Sequence, residues 1–163
     1  KWFNNTVFII TADHSSLSES AYYKTKLNRL AIPIMIYAPN TTIKGVDSTL
    51  FQQTDITPTI LSYTNLNDSI ITFGNTSQNT DNKFIINYIS GSYQVTFNNY
   101  FLIFDGEKST NFYNTKTDSL LTKNILNKLN SNELLVKNKM EKRVKATIQQ
   151  YNTRIVNNKL SKN

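Results

Sequence analysis

Several residue types and motifs on which enzyme chemistry often depends are missing from this 163-residue sequence. It contains no cysteine, which excludes disulfides, thiolate metal sites and a cysteine nucleophile within the chain. No apolar run approaches the roughly 20 residues of a membrane-spanning helix. A glycine-rich phosphate loop and a Gly-x-Ser-x-Gly nucleophile elbow are also missing. Any reaction must depend on other groups, and the single histidine is the first to consider.

The positive charge is concentrated at one end of the chain. Residues 1–127 hold nine basic and nine acidic side chains, whereas residues 128–163 hold nine basic and two acidic ones and carry the whole net charge of +7. A basic end can contact anionic lipid or nucleic acid. No aromatic or glycine pattern of a nucleic-acid-binding module accompanies the charge, so we expect no nucleic-acid partner and favour a solvated helix face.

The pair Asp13-His14 follows an apolar run, Val7 to Ile10, that predicts a buried strand over residues 6–12. A carboxylate and an imidazole are ligands for zinc, manganese and similar divalent ions. Successive side chains of a strand point to opposite faces, so the two can share one ion only if the chain has already bent into a loop. In open α/β sheets, sites form outside the carboxyl ends of strands, and the pair stands at such an end.

Residues 15–54 predict a loop, a second strand and a connection. The loop contains a short helix near Ser18–Leu27. The run Ile32–Ala38 is continuously apolar, which predicts a strand buried on both faces. The connection over residues 41–54 includes a short edge strand.

A helix is predicted from Pro58 to about Asn65, with Thr57 as its N-cap, because proline is tolerated at the first helical position. Asp55 lies just before this helix. It could be a third metal ligand, but we favour a role as a charge at the helix N-terminus. A long polar link over residues 67–82 follows.

From residue 83 the pattern changes to short strands rich in aromatic and β-branched residues, with turn signals between them. The strands are predicted over Lys83–Ser90, Tyr93–Phe97, Tyr100–Phe104 and Ser109–Tyr113. Together they predict an antiparallel meander. The segment Asn132–Leu160 predicts a helix capped by Ser131 or Asn132. Its apolar stripe predicts core packing and consists of Met140, Val144, Ile148, Tyr151 and Ile155.

Three motifs and one longer stretch resemble a known family in combination. They are TADH (11–14), P-I-x-x-Y-A-P (33–39), Q-x-D-I-x-P-T-x-L (53–61) and INYISGSYQVTFNNYFLIFDGEKSTNFYNTKTDSLLTKN (86–124). The combination resembles the C-terminal part of the alkaline phosphatase/sulfatase superfamily. It is most similar to the lipoteichoic acid synthase-like branch, membrane-anchored sulfatase-fold proteins that act as phosphoglycerol transferases.

The resemblance implies an α/β fold in two parts. Residues 1–82 would be the C-terminal part of a sulfatase-like α/β domain, at the edge of an alkaline-phosphatase-like sandwich. Residues 83–163 would be a small antiparallel four-stranded meander followed by a basic C-terminal helix.

The resemblance also implies a metal-dependent mechanism. One divalent ion, manganese first and zinc, magnesium or calcium as alternatives, is held by an upstream carboxylate, a Thr or Ser nucleophile and an Asp-His pair, which Asp13 and His14 match. The ion activates the hydroxyl nucleophile and screens the charge of a phosphoryl or sulfuryl group. A covalent intermediate forms, and water or an acceptor alcohol resolves it. The family often has glycine after the pair, whereas Ser15 stands here.

The nucleophile that this mechanism needs is expected upstream. Between Lys1 and Ala12 the only hydroxyls are Thr6 and Thr11, both on the strand that leads into Asp13. Since the sequence opens on Lys1 rather than methionine, we expect a piece of a longer protein that is inactive alone and binds metal weakly. Its implied partners are the upstream polypeptide, a phosphate- or sulfate-ester substrate, and a bacterial membrane on whose extracytoplasmic face an N-terminal segment anchors it.

Three cations between the pair and the second strand are candidates for binding the substrate's oxyanion: Lys24, Lys26 and Arg29. Arginine would bind a phosphate or sulfate group through two parallel hydrogen bonds. Solvated surface is the simpler interpretation of all three.

The sequence is therefore compatible with two functions of different classes. The first is the C-terminal portion of a metal-dependent transferase or hydrolase. The second is a non-catalytic module whose meander and basic helix bind an anionic surface, with Asp13-His14 incidental.

Overall fold

A computed structural model of the chain describes residues 1–16, 18–42, 44–66, 69–76 and 83–161. Contacts divide it into two compact units, residues 1–48 with 119–121 and residues 49–118 with 122–163. Among the described residues, no helix combines the length and the apolar character needed to cross a membrane.

The first unit is built on two antiparallel strands, β1 (Phe8–Thr11) and β2 (Ile34–Tyr37). Between them lie a short helix, α1 (Ala21–Lys24), and a 3₁₀ turn at Asn28–Leu30. Both predicted strands and the short helix are confirmed, although the strands are shorter than predicted. The expected edge strand does not form in the described residues 41–42 and 44–54.

Strand β2 is not covered on both faces, so that prediction was wrong for this unit. Met35 and Tyr37 are 56% and 49% exposed, whereas their neighbours in the strand are partly buried. Met35 lies opposite Ile10, which is 58% exposed, and Tyr37 lies opposite Phe8. Residues opposite one another in an antiparallel pair share a face. One face of this two-stranded sheet is therefore apolar and largely open to solvent.

The second unit opens with a 3₁₀ turn, Gln53–Asp55, that leads into α2 (Ile56–Tyr63). The predicted N-cap, Thr57, was wrong, because Asp55 occupies that position and the helix begins earlier. Pro58 is the third helical residue and is buried. Its missing N–H still costs no helical hydrogen bond there, because the first four N–H groups of a helix have no partner within it.

Four antiparallel strands follow in the order β3 (Phe84–Ile89), β4 (Ser92–Phe97), β5 (Tyr100–Phe104) and β6 (Ser109–Asn114). This confirms the meander. The β3–β4 turn consists of Ser90 and Gly91, both with positive φ, which is the type I′ geometry that matches the twist of a hairpin.

A 26-residue helix, α3 (Ser131–Val156), ends the described fold. The predicted caps Ser131 and Asn132 were wrong. The side chain of Asn130 accepts the N–H of Glu133 at 2.9 Å, and the Glu133 carboxylate accepts the N–H of Asn130 at 3.0 Å. This reciprocal capping box satisfies two backbone donors at once.

Helix α3 closes the core of the second unit. Met140 and Val144 are fully buried against an aromatic and aliphatic sheet face formed by Phe84, Val95, Phe97, Leu102, Phe104 and Phe112. Ile148 packs beside them, but Tyr151 and Ile155 are each 46% exposed. The predicted stripe is thus confirmed as core as far as Ile148.

A buried carboxylate joins the start of α2 to the rest of the second unit. Asp55 is 2% exposed and accepts the N–H of Asn75 on Oδ1 at 2.6 Å and that of Gln52 on Oδ2 at 3.1 Å. The Gln52 side chain in turn accepts the N–H of Ile86 on β3 at 3.2 Å. A Cβ on Gly74 would lie 2.0 Å from the carbonyl oxygen of Thr54, so the two backbones touch directly.

These hydrogen bonds explain why α2 belongs to the same compact unit as the meander rather than to residues 1–48. The predicted division at residues 82 and 83 concerns the domains of a longer protein and stays a prediction. Part of the predicted polar link, residues 67–68 and 77–82, lies outside the described residues.

We predict that Met140→Ala destabilises the protein by about 2–5 kcal/mol, because it removes a fully buried side chain and leaves a cavity. Leu135→Ala on the same helix is the matched control, since Leu135 is 69% exposed. Its effect should stay within about 0.5 kcal/mol. Urea denaturation followed by circular dichroism measures both, and equal losses would mean that α3 does not dock through Met140.

A charge cluster on α3 fixes the helix to β6. Glu141 lies between Lys137 and Lys145, one turn away on either side, and accepts a hydrogen bond from the Ser109 hydroxyl at 3.1 Å. Burial opposes ionisation of Glu141, but hydrogen bonds from Lys137 and Lys145 outweigh it and hold the pKa of its carboxyl at about 2.

We predict that Glu141→Gln costs about 1–2 kcal/mol of unfolding free energy at pH 7. Folding lowers the pKa of this carboxyl, so its ionised form stabilises the folded protein at pH values above about 4.5, the pKa in the unfolded chain. This stabilisation is lost as the pH falls toward 2, the pKa in the folded chain. The difference between the two proteins should therefore shrink over that interval. Chemical denaturation at a series of pH values tests this, and a pH-independent difference would contradict it.

Candidate metal centre

The Asp13-His14 pair lies in a bend directly after β1, as predicted. Thr11, the last residue of β1, donates from its hydroxyl to the carbonyl of Pro33 at 3.1 Å, just before β2 begins. The point at which the chain leaves the sheet is thus fixed. The predicted loop is confirmed, although the strand pair behind it is antiparallel, so the rule for parallel strand ends does not by itself explain the position.

The two side chains of the pair lie close together and in solvent. Nε2 of His14 is 3.5 Å from Oδ2 of Asp13, and the side chains are 79% and 87% exposed, respectively. The backbone N–H of His14 donates to Oδ1 of Asp13 at 2.9 Å. The aspartate side chain is therefore turned back toward the histidine rather than away from it.

Ser15 orients the imidazole. Nδ1 of His14 is 2.9 Å from the Ser15 carbonyl oxygen, so we assign the proton to Nδ1 in the neutral ring, which leaves Nε2 as an acceptor. A backbone carbonyl that holds one ring nitrogen while the other faces outward is the usual support of a metal-binding histidine. The Ser15 hydroxyl also donates to the carbonyl of Arg29 and so ties the loop to the 3₁₀ turn.

The spacing of the pair fits a shared ion. Two ligand atoms that each lie about 2.1 Å from one tetrahedral metal are about 3.4 Å apart. The observed separation of Oδ2 and Nε2 is 3.5 Å. Carboxylate oxygen and neutral imidazole nitrogen also form a donor set that suits zinc and manganese.

The same geometry favours a proton on His14. The Ser15 carbonyl first, and the Asp13 carboxylate second, raise the pKa of His14 above its usual value. A proton on Nε2 competes with a metal ion for the same lone pair. Metal binding at this pair should therefore weaken as the pH falls below the pKa of His14.

No third carboxylate or imidazole joins the pair within the part of the chain that the structure describes. Asp55 is buried at the N-cap position of α2, and both its oxygens accept backbone N–H groups, those of Gln52 and Asn75 rather than those of the helix. Its favoured role as a charge at the helix N-terminus stays a prediction. The candidate hydroxyls before the pair are also engaged. Thr6 donates to the carbonyl of Trp2 at 2.7 Å, and Thr11 donates to Pro33.

The three candidate substrate-binding cations differ in their surroundings. Lys24 lies 3.4 Å from Glu19, and Lys26 is exposed. Arg29 is partly buried, and its Nε has no hydrogen-bond partner among the described residues. Because the Ser15 hydroxyl donates to its carbonyl, Arg29 is the one of the three that a hydrogen bond connects to the Asp13-His14 loop.

The sequence did not reveal the role of Ser15. Ser15 was noted only because the family that the sequence resembles often has glycine at this position. A serine two residues after a carboxylate is a common turn former, so its hydroxyl gave a weak local signal. Its partner, the carbonyl of Arg29, is 14 residues away and could not be read from the sequence.

No model of a known protein family and no curated protein matches this chain. The resemblance described from the sequence motifs therefore stays a prediction, and the support for a function comes from the geometry of the loop.

We predict that Asp13→Asn lowers the pKa of His14, because it removes the carboxylate charge while the Ser15 carbonyl remains. His14 is the only histidine, so its imidazole signals in a proton NMR titration need no assignment. Glu19→Gln, which removes an exposed carboxylate of the same unit, should leave the titration unchanged. An unchanged pKa in Asp13→Asn would show that the pair does not form in solution.

Proposed function

We propose that this chain is the C-terminal part of a metal-dependent transferase or hydrolase of the alkaline phosphatase/sulfatase superfamily, of the lipoteichoic acid synthase-like branch. Its substrates are phosphate or sulfate esters. The observation that carries the proposal is the 3.5 Å spacing of Asp13 Oδ2 and His14 Nε2 at the exposed end of β1, which suits two ligands of one ion.

In this proposal Asp13 and His14 supply half of the metal shell. An upstream segment of the same polypeptide supplies the remaining carboxylate and the Thr or Ser nucleophile. The ion, manganese first, would activate that hydroxyl and screen the charge of the transferred group. The Ser15 carbonyl holds the imidazole so that Nε2 stays available. Arg29, whose Nε has no hydrogen-bond partner among the described residues, is proposed to bind an oxygen of the ester.

The exposed apolar face of the first unit supports the proposal that this unit is part of a larger α/β sandwich. A two-stranded sheet is at best marginally stable in water. Here its open face carries Ile10, Met35 and Tyr37, and Trp2 beside them is 71% exposed. An apolar sheet face of this kind is what an edge of an α/β sandwich presents where the rest of that sandwich packs. The proposal also includes the extracytoplasmic side of a bacterial membrane, with an upstream segment as the anchor.

The test is carried out on the longer protein that contains this chain. His14→Ala should lower turnover of a phosphodiester or sulfate ester by about 100-fold or more and should reduce bound manganese. Glu107→Gln is the matched control, because Glu107 is an exposed acid on the turn before β6. Activity and metal content are measured together, and unchanged values in His14→Ala would overturn the site.

The exposed basic residues of α3 favour a second candidate, a non-catalytic module that binds an anionic surface. Lys142 and Arg143 are exposed, and the side chain of Lys145 is 51% exposed. Two results together would favour this module over the enzyme. His14→Ala would leave metal content and activity unchanged, and the chain would bind anionic vesicles at low salt.

A further inference from the structure

A cavity of about 220 Å³ lies within the second unit. It is bounded by the 3₁₀ turn that precedes α2, the segment 72–75, strand β3 and helix α3. None of the residues that line it belongs to the Asp13-His14 loop, so the cavity shares no residue with the candidate metal centre.

Direct contacts fix the walls of this cavity. The segment 72–75 is held at one end by the hydrogen bond from the Asn75 N–H to Asp55, and Gly74 lies against the Thr54 carbonyl. Phe73 contacts Tyr151 of α3 edge to face, with ring centroids 5.6 Å apart. The walls therefore have a defined shape before any ligand arrives, which reduces the entropy lost on binding.

Helix α3 contributes one polar face to the cavity. Arg143, Thr147 and Gln150 follow one another at four- and three-residue steps, which places them on the same side of the helix. Met140 and Val144, which point into the core, fix the rotation of α3 and with it the direction of this polar face.

The uncommitted side chains around the cavity can all donate hydrogen bonds. The guanidinium of Arg143 has no acidic partner among the described residues, and it lies 5.8 Å from the Phe84 ring centre. The side chains of Gln150 and Thr54 make no hydrogen bond within the described chain. Gln52 uses its carbonyl oxygen on Ile86, so its amide N–H groups remain available.

The charge of the lining is positive. No aspartate or glutamate is among the described residues that line the cavity. Asp55 lies nearby, but both its oxygens accept backbone N–H groups and the side chain is 2% exposed. An arginine together with amide and hydroxyl donors is the usual receptor for an oxyanion, and arginine can bind it through two parallel hydrogen bonds.

We infer that this cavity binds a small oxyanion, a phosphate or a carboxylate group, with Arg143 as its charge partner and Gln150, Thr54 and Gln52 as neutral donors. The site is small, carries a single cation, and is open enough for Arg143 to be exposed, so the affinity is modest, with a dissociation constant on the order of 1 mM.

The experiment is an NMR titration of the whole chain with inorganic phosphate, with acetate, and with neutral glycerol. Phosphate or acetate should shift the backbone amide signals of Gly74 and Asn75, which lie in the wall, and glycerol should not. The anion that shifts them at lower concentration identifies the preferred oxyanion. No saturable shift with either anion would overturn the inference.

Arg143→Gln should weaken binding by about tenfold or more, because it removes the one charge of the site. Arg154→Gln is the matched control: Arg154 lies on the same helix and donates to the carbonyl of Lys159. It should bind as the unchanged chain does. Equal losses in both variants would show attraction to the general positive charge and overturn the site.

A second variant, Gln150→Leu, keeps the arginine and removes a neutral donor on the exposed side of α3. It should weaken binding by a smaller factor, about threefold, while thermal unfolding stays unchanged. Binding unaffected by both Arg143→Gln and Gln150→Leu would place the anion elsewhere and contradict the assignment.

Discussion

The packing of Met140 and Val144 against the aromatic face of the β3–β6 sheet is the contact on which the second unit depends. It buries two side chains of α3 completely and thereby fixes the rotation of a 26-residue helix. That rotation determines the position of everything else on α3. Glu141 reaches the Ser109 hydroxyl on one side, and Arg143 lines the cavity on another. A hydrophobic contact thus positions the polar chemistry around it.

In the first unit, hydrogen bonds rather than buried apolar side chains position the candidate site. Thr11 fixes the end of β1 to the chain before β2, and Ser15 holds both the His14 ring and the turn at Arg29. Oδ2 of Asp13 and Nε2 of His14 remain exposed and lie 3.5 Å apart, a separation that would suit two ligands of one ion. The geometry of this loop therefore depends on a few polar contacts to residues 14 and 22 positions away along the chain.

The sequence predicted those elements whose signals are local. The short strands rich in aromatic and β-branched residues specify the meander, although the first turn lies at Ser90-Gly91 and not at Gly91-Ser92, where the sequence placed it. The four-residue steps of Met140, Val144 and Ile148 specify the docking face of α3. The caps were mistaken because several polar residues compete at a helix start. The spacing of Asn130 and Glu133 is a capping-box signal that could have identified the true cap.

Local sequence patterns did not predict contacts between residues that are far apart in the chain. The apolar run of β2 predicted cover on both faces, but an apolar sequence does not reveal whether a partner lies over each face. The Asp13-His14 pair was predicted on its loop, whereas the tie from Ser15 to Arg29 was not. The cavity draws its lining from residues near positions 52, 74, 86 and 143, which only the folded chain brings together.

The contact between Gly74 and the Thr54 carbonyl has a consequence for how this protein can change over evolutionary time. Even a methyl group at position 74 would overlap that carbonyl, with only 2.0 Å between them. The present backbone therefore does not accommodate alanine or serine at position 74. Homologues that keep this junction should retain glycine, and a lineage that loses the glycine must also move the backbone at Thr54 away from position 74.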